Sequence, residues 1–288
     1  MKILVGVTPD ASAADALALS GVLQKSMGGE VVIAHVYAAP SDQSGKRKVD
    51  AEWVAYLRND AEAIVADAAD AAPRYGVVEC ETAVHGHRSS GVGLDELAQR
   101  IHADVIVIGS APGASNGRFL IGSTADQLLH GSHVPVAVAP AGYRRVFPDA
   151  LGRLVVAFQD TTESHKALEW AAEHRGDRRL TALTVLIRHR VMGSNLAFDG
   201  EGLVSRQFEE DAQVALDAAL RALGTDADSE LTIGDDALSA VGRVQWHGDE
   251  LLVLASGGSV LRRVFLGDMT YKLVRATPVP AIVLPRHT

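Results

Sequence analysis

The sequence lacks the features that mark several common classes of protein. It contains a single cysteine, Cys80, so no disulfide can form within the chain, which is typical of proteins from a reducing compartment. No stretch approaches the roughly 20 consecutive apolar residues that span a bilayer, and the apolar run at residues 1–7 is too short for a signal peptide. We therefore expect a cytoplasmic protein that has no membrane partner.

An excess of positive charge is also missing. The formal net charge is -9, and no lysine- or arginine-rich run is long enough to follow a nucleic-acid backbone. We therefore expect no nucleic-acid partner. Apolar residues make up 47% of the chain and charged residues 22%, which is enough to form a buried core beneath a charged surface.

Motifs of the common phosphate-handling and hydrolytic enzymes are absent as well. There is no G-x-G-x-x-G and no G-x-x-x-x-G-K-[ST], which disfavours Rossmann dehydrogenases and P-loop enzymes. Ser110 follows an apolar run, but its surroundings do not form G-x-S-x-G, so we predict no catalytic residue. His85 and His87 have no carboxylate or cysteine at metal-binding spacing in the sequence, so we interpret them as loop residues and predict no metal site.

An internal repeat is present instead. The apolar run 3–7 matches 154–158, the run 105–110 matches 251–256, and Val-Pro-Val at 134–136 matches Val-Pro-Ala at 279–281. The order of the elements is preserved, while the offset falls from 151 to 145, as small loop deletions would produce. We predict two domains, residues 1–142 and 151–288, joined by a short linker.

Hydrophobic patterning predicts the fold of each copy. In the first copy, short apolar runs at 3–7, 31–36, 105–108 and 134–138, with a weaker one at 79–84, alternate with helical patterns at 12–27, 49–72, 91–102 and 123–129. Strands that are apolar on both faces and alternate with helices form parallel sheets covered on both sides. The predicted fold class is therefore α/β, with two repeated, doubly wound, mainly parallel-sheet domains.

The loop after the fourth run is the strongest candidate site. Residues 109–124 are rich in glycine and hydroxyl groups and lead into a helix for which we predict Ser123 as the N-cap. The free amides at the start of such a helix form an anion site, and glycines at 109, 113 and 122 permit close backbone approach.

This loop resembles the nucleotide-binding motif of ATP-binding universal stress proteins, which is a glycine, two residues, a glycine, nine residues and then Gly-Ser or Gly-Thr. Gly109 and Gly122–Ser123 have the required spacing, but Pro112 stands where the middle glycine belongs and Gly113 follows it. The resemblance, which extends over both halves, implies an adenine nucleotide such as ATP, bound together with Mg²⁺. The implied binding residues are Val7, Thr8, Val36, Gly109, Ser110, Gly113, Gly122, Ser123 and Thr124.

Two departures from the family pattern bear on affinity. ATP-binding members carry an acidic residue after the first strand, where this chain has Thr8 in the first half and Gln159 in the second. In the second half Ala255 and Gly267 are one position too close, and Asp268 stands where a carboxylate would repel phosphate. We expect weak nucleotide binding in the first half and no triphosphate binding in the second.

Three functions remain open. We favour a tandem stress-response regulatory module that binds adenine nucleotide weakly; the alternatives are a protein-interaction scaffold that binds no nucleotide and, less favoured, a slow nucleotide hydrolase. Family members often dimerise by pairing their last strands. The resemblance thus implies that residues 134–139 and 278–284 pair within the chain as an intramolecular pseudo-dimer, which would pair again in a homodimer.

Overall fold

The computed structural model describes residues 1–39, 48–187, 200–256 and 268–286, and at 48–50, 200–205 and 268 only the backbone. The first half contains strands β1 (Lys2–Gly6), β2 (Glu30–Tyr37), β3 (Cys80–Gly86), β4 (Val105–Gly109) and β5 (Val136–Ala139), and helices α1 (Ala11–Met27), α2 (Lys48–Ala71), α3 (Ser90–Ile101) and α4 (Ser123–Gly131). The second half contains strands β6 (Arg153–Ala157), β7 (Arg179–Ile187), β8 (Asp228–Gly234), β9 (Glu250–Ala255) and β10 (Ala281–Leu284), and helices α5 (Thr162–His174), α6 (Gly200–Leu223), α7 (Ala237–Val241) and α8 (Asp268–Ala276).

The described strands form one continuous sheet in the order β3-β2-β1-β4-β5-β10-β9-β6-β7-β8. Every pairing within a half is parallel, and each half has the doubly wound order in which the first strand lies at the centre. The predicted α/β class is confirmed. The halves join through β5 and β10, which pair antiparallel with Ala137 opposite Ile282, so the last strands meet within one chain as predicted.

Helices cover both faces of the sheet because successive strand residues point to opposite sides. Ile3 and Val5 belong to a core layer that includes residues of α1, α2, α5 and α6, whereas Leu4 belongs to a layer with residues of α3, α4, α7 and α8. Both layers run across the two halves without a break. The halves are therefore packed together by apolar contacts as well as by the β5–β10 ladder.

The segment between β5 and β6 is anchored to α1 by one buried carboxylate. Asp15 is 2% exposed and accepts hydrogen bonds from the backbone amides of Gly142 (2.9 Å) and Arg144 (2.9 Å). The Nη1 atom of Arg144 lies 3.0 Å from both carboxylate oxygens, which compensates the buried charge. The linker is thus a fixed connection between the halves.

The start of helix α4 and strand β3 can be compared directly with the sequence predictions. Helix α4 begins at Ser123 with Gly122 as its N-cap, so the prediction that Ser123 is the N-cap was wrong by one position. The weak run at 79–84 does form a strand, β3, which lies at the sheet edge and is therefore only partly buried. No helix among the described residues is long and apolar enough to span a membrane.

Candidate functional site

A cleft of about 230 Å³ opens at the carboxyl ends of β1, β2 and β4, where ligands collect in doubly wound sheets. Because parallel strands end at one edge of the sheet, the loops after these strands converge there. Seven of the nine predicted binding residues line the cleft: Val7, Thr8, Val36, Gly109, Gly122, Ser123 and Thr124. The structure thus brings most of the sequence-predicted residues together.

The start of α4 forms one wall of the cleft. No side chain caps this helix end, and Gly122, Ser123 and Thr124 all face the cleft. The first amides of a helix have no partner within the helix, and the helix dipole adds a partial positive charge there. The wall therefore offers hydrogen-bond donors and positive potential to an anion.

Gly109 at the end of β4 allows α1 to lie close to this wall. A Cβ atom built on Gly109 would lie 2.2 Å from the carbonyl oxygen of Ser12 in the first turn of α1. That distance is far below any ordinary contact, so only glycine fits without movement of the helix or strand. The close approach places the Ser12 turn and the loop after β4 on opposite sides of one narrow cleft.

The first turn of α1 carries a chain of polar groups. The Thr8 hydroxyl donates to Oδ2 of Asp10 (2.8 Å), and its oxygen lies 3.1 Å from Ser12 Oγ. Asp10 is the N-cap of α1 and accepts from the Ser12 amide through Oδ1 (2.8 Å). Partial burial raises the pKa of the Asp10 carboxyl, but the hydrogen bonds from Ser12 and Thr8 outweigh it and hold the pKa below its usual value.

Ser110 and Gly113, the other two predicted residues, are not among the residues lining the cleft. Ser110 is 3% exposed, and its Oγ accepts from the Leu120 amide (2.8 Å), which closes the base of the loop. Side chains alternate along an extended segment, so Ser110 points away when Gly109 faces the cleft. Gly113 has φ +95° and forms part of the turn, which is a role in loop geometry.

His35 is a cleft residue that the sequence did not identify. It lies in the apolar strand β2, is half-buried and lines the cleft beside Val36. Its Nδ1 lies 2.8 Å from the carbonyl oxygen of Val7. Because a carbonyl can only accept, Nδ1 carries the proton of this hydrogen bond. No sequence signal separated this histidine from its apolar neighbours.

The cleft has little cationic character. Among the described residues that line it there is no lysine or arginine. Arg118 in the loop after β4, which aligns with Arg263 between the copies, donates from Nη1 to the Ala276 carbonyl at the end of α8 (3.2 Å). Among the described lining residues, the donors at the start of α4 are therefore backbone amides rather than cationic side chains.

The second half repeats the first turn with other residues. The Thr161 amide donates to the Gln159 carbonyl (2.6 Å), as the Asp10 amide does to Thr8 (2.8 Å), and Thr161 caps α5. No carboxylate lies in that cap. Gly267, Arg263 and the Asp268 side chain lie outside the described residues, so the expectation that this half binds no triphosphate remains a prediction.

Two histidine clusters lie elsewhere. The Nε2 atoms of His85 and His87 face the two oxygens of Glu96 on α3, at 3.1 and 3.9 Å. Glu96 is thus a nearby carboxylate that the sequence spacing did not show. His85 lies in β3, so its interpretation as a loop residue was wrong.

Among the described residues, the group close enough together to hold a metal is His247, Asp249 and Glu250. The fully buried Glu250, however, already accepts from Arg153 Nη2 (2.9 Å) and from the amides of His247 (2.9 Å) and Gly248 (2.9 Å). A further cation would lie beside the Arg153 guanidinium. We interpret this second cluster as a structural carboxylate that closes the loop before β9.

The fold and cleft define a protein of two fused, doubly wound α/β halves, with a cleft in the first half that is lined by the uncapped start of α4. A model of the universal stress protein family matches residues 1–140 and 151–285. The chain belongs to this family.

Relatives agree with this assignment. Universal stress proteins of Mycobacterium tuberculosis and Mycobacterium bovis are each 32% identical over 252 residues, which cover 83% of this chain and 84% of the relative. A universal stress protein structure from Archaeoglobus fulgidus has a TM-score of 0.64 at 18% identity and covers 99% of this chain and 96% of its own. A putative universal stress protein from Pseudomonas aeruginosa has a TM-score of 0.63 at 13% identity, with coverage of 99% and 92%. At these identities the structural similarity concerns the fold alone.

Proposed function

We propose that this chain is a stress-response regulatory module whose first half binds an adenine nucleotide weakly, with Mg²⁺, while the second half binds none. The observation that carries the proposal is the uncapped start of α4, which faces a cleft that the glycine at 109 keeps narrow. Backbone amides there would hold phosphate, and the polar turn of α1 would face the sugar. Val36 and His35 would border the base.

Weak affinity follows from the charges in the cleft. An anion at a helix start gains about 0.3–1 kcal/mol at an exposed site and up to about 2 kcal/mol when partly buried. No lysine or arginine lining the described cleft adds to this gain, and the Asp10 carboxylate opposes a second negative group. Magnesium would enter with the phosphates, because Asp10 already accepts from Ser12 and Thr8.

One substitution tests the proposal sharply. Ser123→Asp would give α4 the residue that the second half carries at the matching position, Asp268. A carboxylate at the helix start favours the helix but repels phosphate. We expect titration calorimetry with Mg-ATP to show binding to the wild type and to the neutral control Ser123→Asn, but none to Ser123→Asp.

Nucleotide carried through purification gives an independent measurement. Any adenine nucleotide in the supernatant of the denatured wild type should be reduced in Ser123→Asp. A clean supernatant together with no heat on adding Mg-ATP would refute nucleotide binding. ADP that accumulates with turnover in the same samples, and that is lost in Ser123→Asp, would instead support the hydrolase.

The scaffold function is supported by a different observation. Trp53 and Tyr56 on α2 are stacked at 5.3 Å yet 58% and 59% exposed, and Phe208 on α6 in the other half is 65% exposed. Exposed aromatic side chains on both outer helices suit contact with another protein. If the wild type binds no nucleotide, the double variant Trp53→Ala/Tyr56→Ala should retain less of any protein that binds the wild type in a pull-down. Its midpoint of urea unfolding should equal that of the wild type.

We also propose a homodimer, whose contact must lie away from the last strands. The last strands β5 and β10 already pair with one another in the chain, so they offer no free edge. A second copy would therefore have to pair through the sheet edges β3 and β8 or through a helical surface.

A further inference from the structure

Thr8 lines the cleft just after the end of β1, and its hydroxyl has a fixed polarity. Its neighbour Asp10 is a carboxylate, which can only accept hydrogen bonds. At 2.8 Å between Thr8 Oγ1 and Asp10 Oδ2, the proton of that bond must therefore come from Thr8. The hydroxyl has no second proton to give to a ligand.

The remaining partner of this hydroxyl extends the chain. Ser12 Oγ lies 3.1 Å from Thr8 Oγ1. Because the Thr8 proton is directed to Asp10, the bond between the two hydroxyls runs from Ser12 to Thr8. A hydroxyl oxygen has two lone pairs, and Ser12 uses one of them. One acceptor site on Thr8 is left at the cleft surface, where Thr8 is exposed.

We infer that Thr8, polarised by Asp10, is an obligate acceptor for a ligand hydroxyl and selects nucleotides by their ribose. The pair presents an acceptor-only oxygen backed by a negative charge one hydrogen bond away. The inference rests on the proposed function, because the hydroxyl donor is the sugar of the bound nucleotide. The inference adds that the site binds ribonucleotides more tightly than deoxynucleotides, and it assigns this preference to Thr8 Oγ1.

Paired measurements on protein and ligand test the contact. Calorimetric titrations would use Mg-ATP and its 2′-deoxy and 3′-deoxy counterparts with the wild type and with Thr8→Val, which keeps the shape and removes the hydroxyl. We expect the wild type to bind one deoxy nucleotide about tenfold more weakly than ATP, a loss of the size of one hydrogen bond backed by charge. Thr8→Val should bind ATP about tenfold more weakly and show no further loss with that deoxy nucleotide.

The role of Asp10 requires a second set of variants. Asp10→Ser keeps a good N-cap for α1 but removes the acceptor of the Thr8 proton, and we expect it to reduce the preference for ribose at least threefold. Thr8→Asp would place two carboxylates side by side, so we expect no tighter ATP binding. Thr8→Asp/Asp10→Ser moves one carboxylate to position 8 without this repulsion and should bind ATP more tightly than Thr8→Asp.

The outcomes separate the inference from the proposed function. Equal affinity of the wild type for all three nucleotides would overturn the ribose contact and leave nucleotide binding standing. Tighter ATP binding by Thr8→Asp alone would show that a carboxylate was simply missing and would likewise overturn the pair. Absence of any nucleotide binding by the folded wild type would overturn the proposed function, and the inference with it.

Discussion

Substitution of Gly109 by alanine tests how closely β4 and α1 approach at the cleft. The added methyl group would meet the Ser12 carbonyl oxygen at 2.2 Å and its carbonyl carbon at 2.8 Å. Both atoms belong to the backbone, so the strand and the helix must separate by about 1 Å, and overpacking of this kind costs about 1–3 kcal/mol. For a chain of this size that loss lowers Tm by roughly 2–10 °C.

The assay combines urea unfolding, followed by circular dichroism, with calorimetric titration of Mg-ATP. Displacement of Ser12 also disturbs Thr8 and Asp10, so we expect Gly109→Ala to lose more than tenfold in affinity. The matched control is Gly131→Ala at the end of α4, where an added Cβ has nothing within 4 Å. It should change stability by no more than about 1 kcal/mol. Wild-type stability and affinity in Gly109→Ala would refute the close approach.

Three further predictions concern charge. Asp15→Asn should lower the free energy of unfolding in urea by about 2–4 kcal/mol, because it leaves Arg144 without its buried counter-charge. The control Lys25→Ala breaks an exposed ion pair with Asp149 and should change the free energy of unfolding by less than about 1 kcal/mol. Although burial raises the pKa of Glu250, hydrogen bonds from His247, Gly248 and Arg153 lower it below its usual 4.5. The ionised Glu250 carboxylate therefore adds to the free energy of unfolding above pH 4.5, and this stabilisation is lost as the pH falls below that value. Glu250→Gln should make the free energy of unfolding less dependent on pH in this acidic range. Without Mg²⁺, AMP should bind at least as tightly as ATP, since no lysine or arginine lines the described cleft; a clear preference for ATP would contradict this charge assignment.

The sequence predicts the fold well because its signals are local. Buried parallel strands appear as short apolar runs, and the repeat supplies each pattern twice. The signal was weakest for β3, an edge strand whose residues are partly exposed and therefore less apolar. The N-cap of α4 was displaced by one residue, because glycine at 122 and serine at 123 are both common cap residues.

The site was predicted less completely because its details depend on distant contacts. The spacing of Gly109 and Gly122–Ser123 correctly located the loop that lines the cleft. It did not show that the Ser110 side chain points away from the cleft, toward Leu120. The contact of Arg118 with Ala276 joins residues 158 positions apart, and no local pattern encodes it. The division into residues 1–142 and 151–288 likewise remains a prediction that limited proteolysis or separate expression would test.

The stoichiometry of Mg-ATP binding tests the central claim most directly, because the claim is that two halves of one fold differ in chemistry. Calorimetric titration of the full chain should give one equivalent of nucleotide per chain, and Ser123→Asp should reduce it to zero. Two equivalents in the wild type, or one equivalent that persists in Ser123→Asp, would contradict the assignment of the site to the first half.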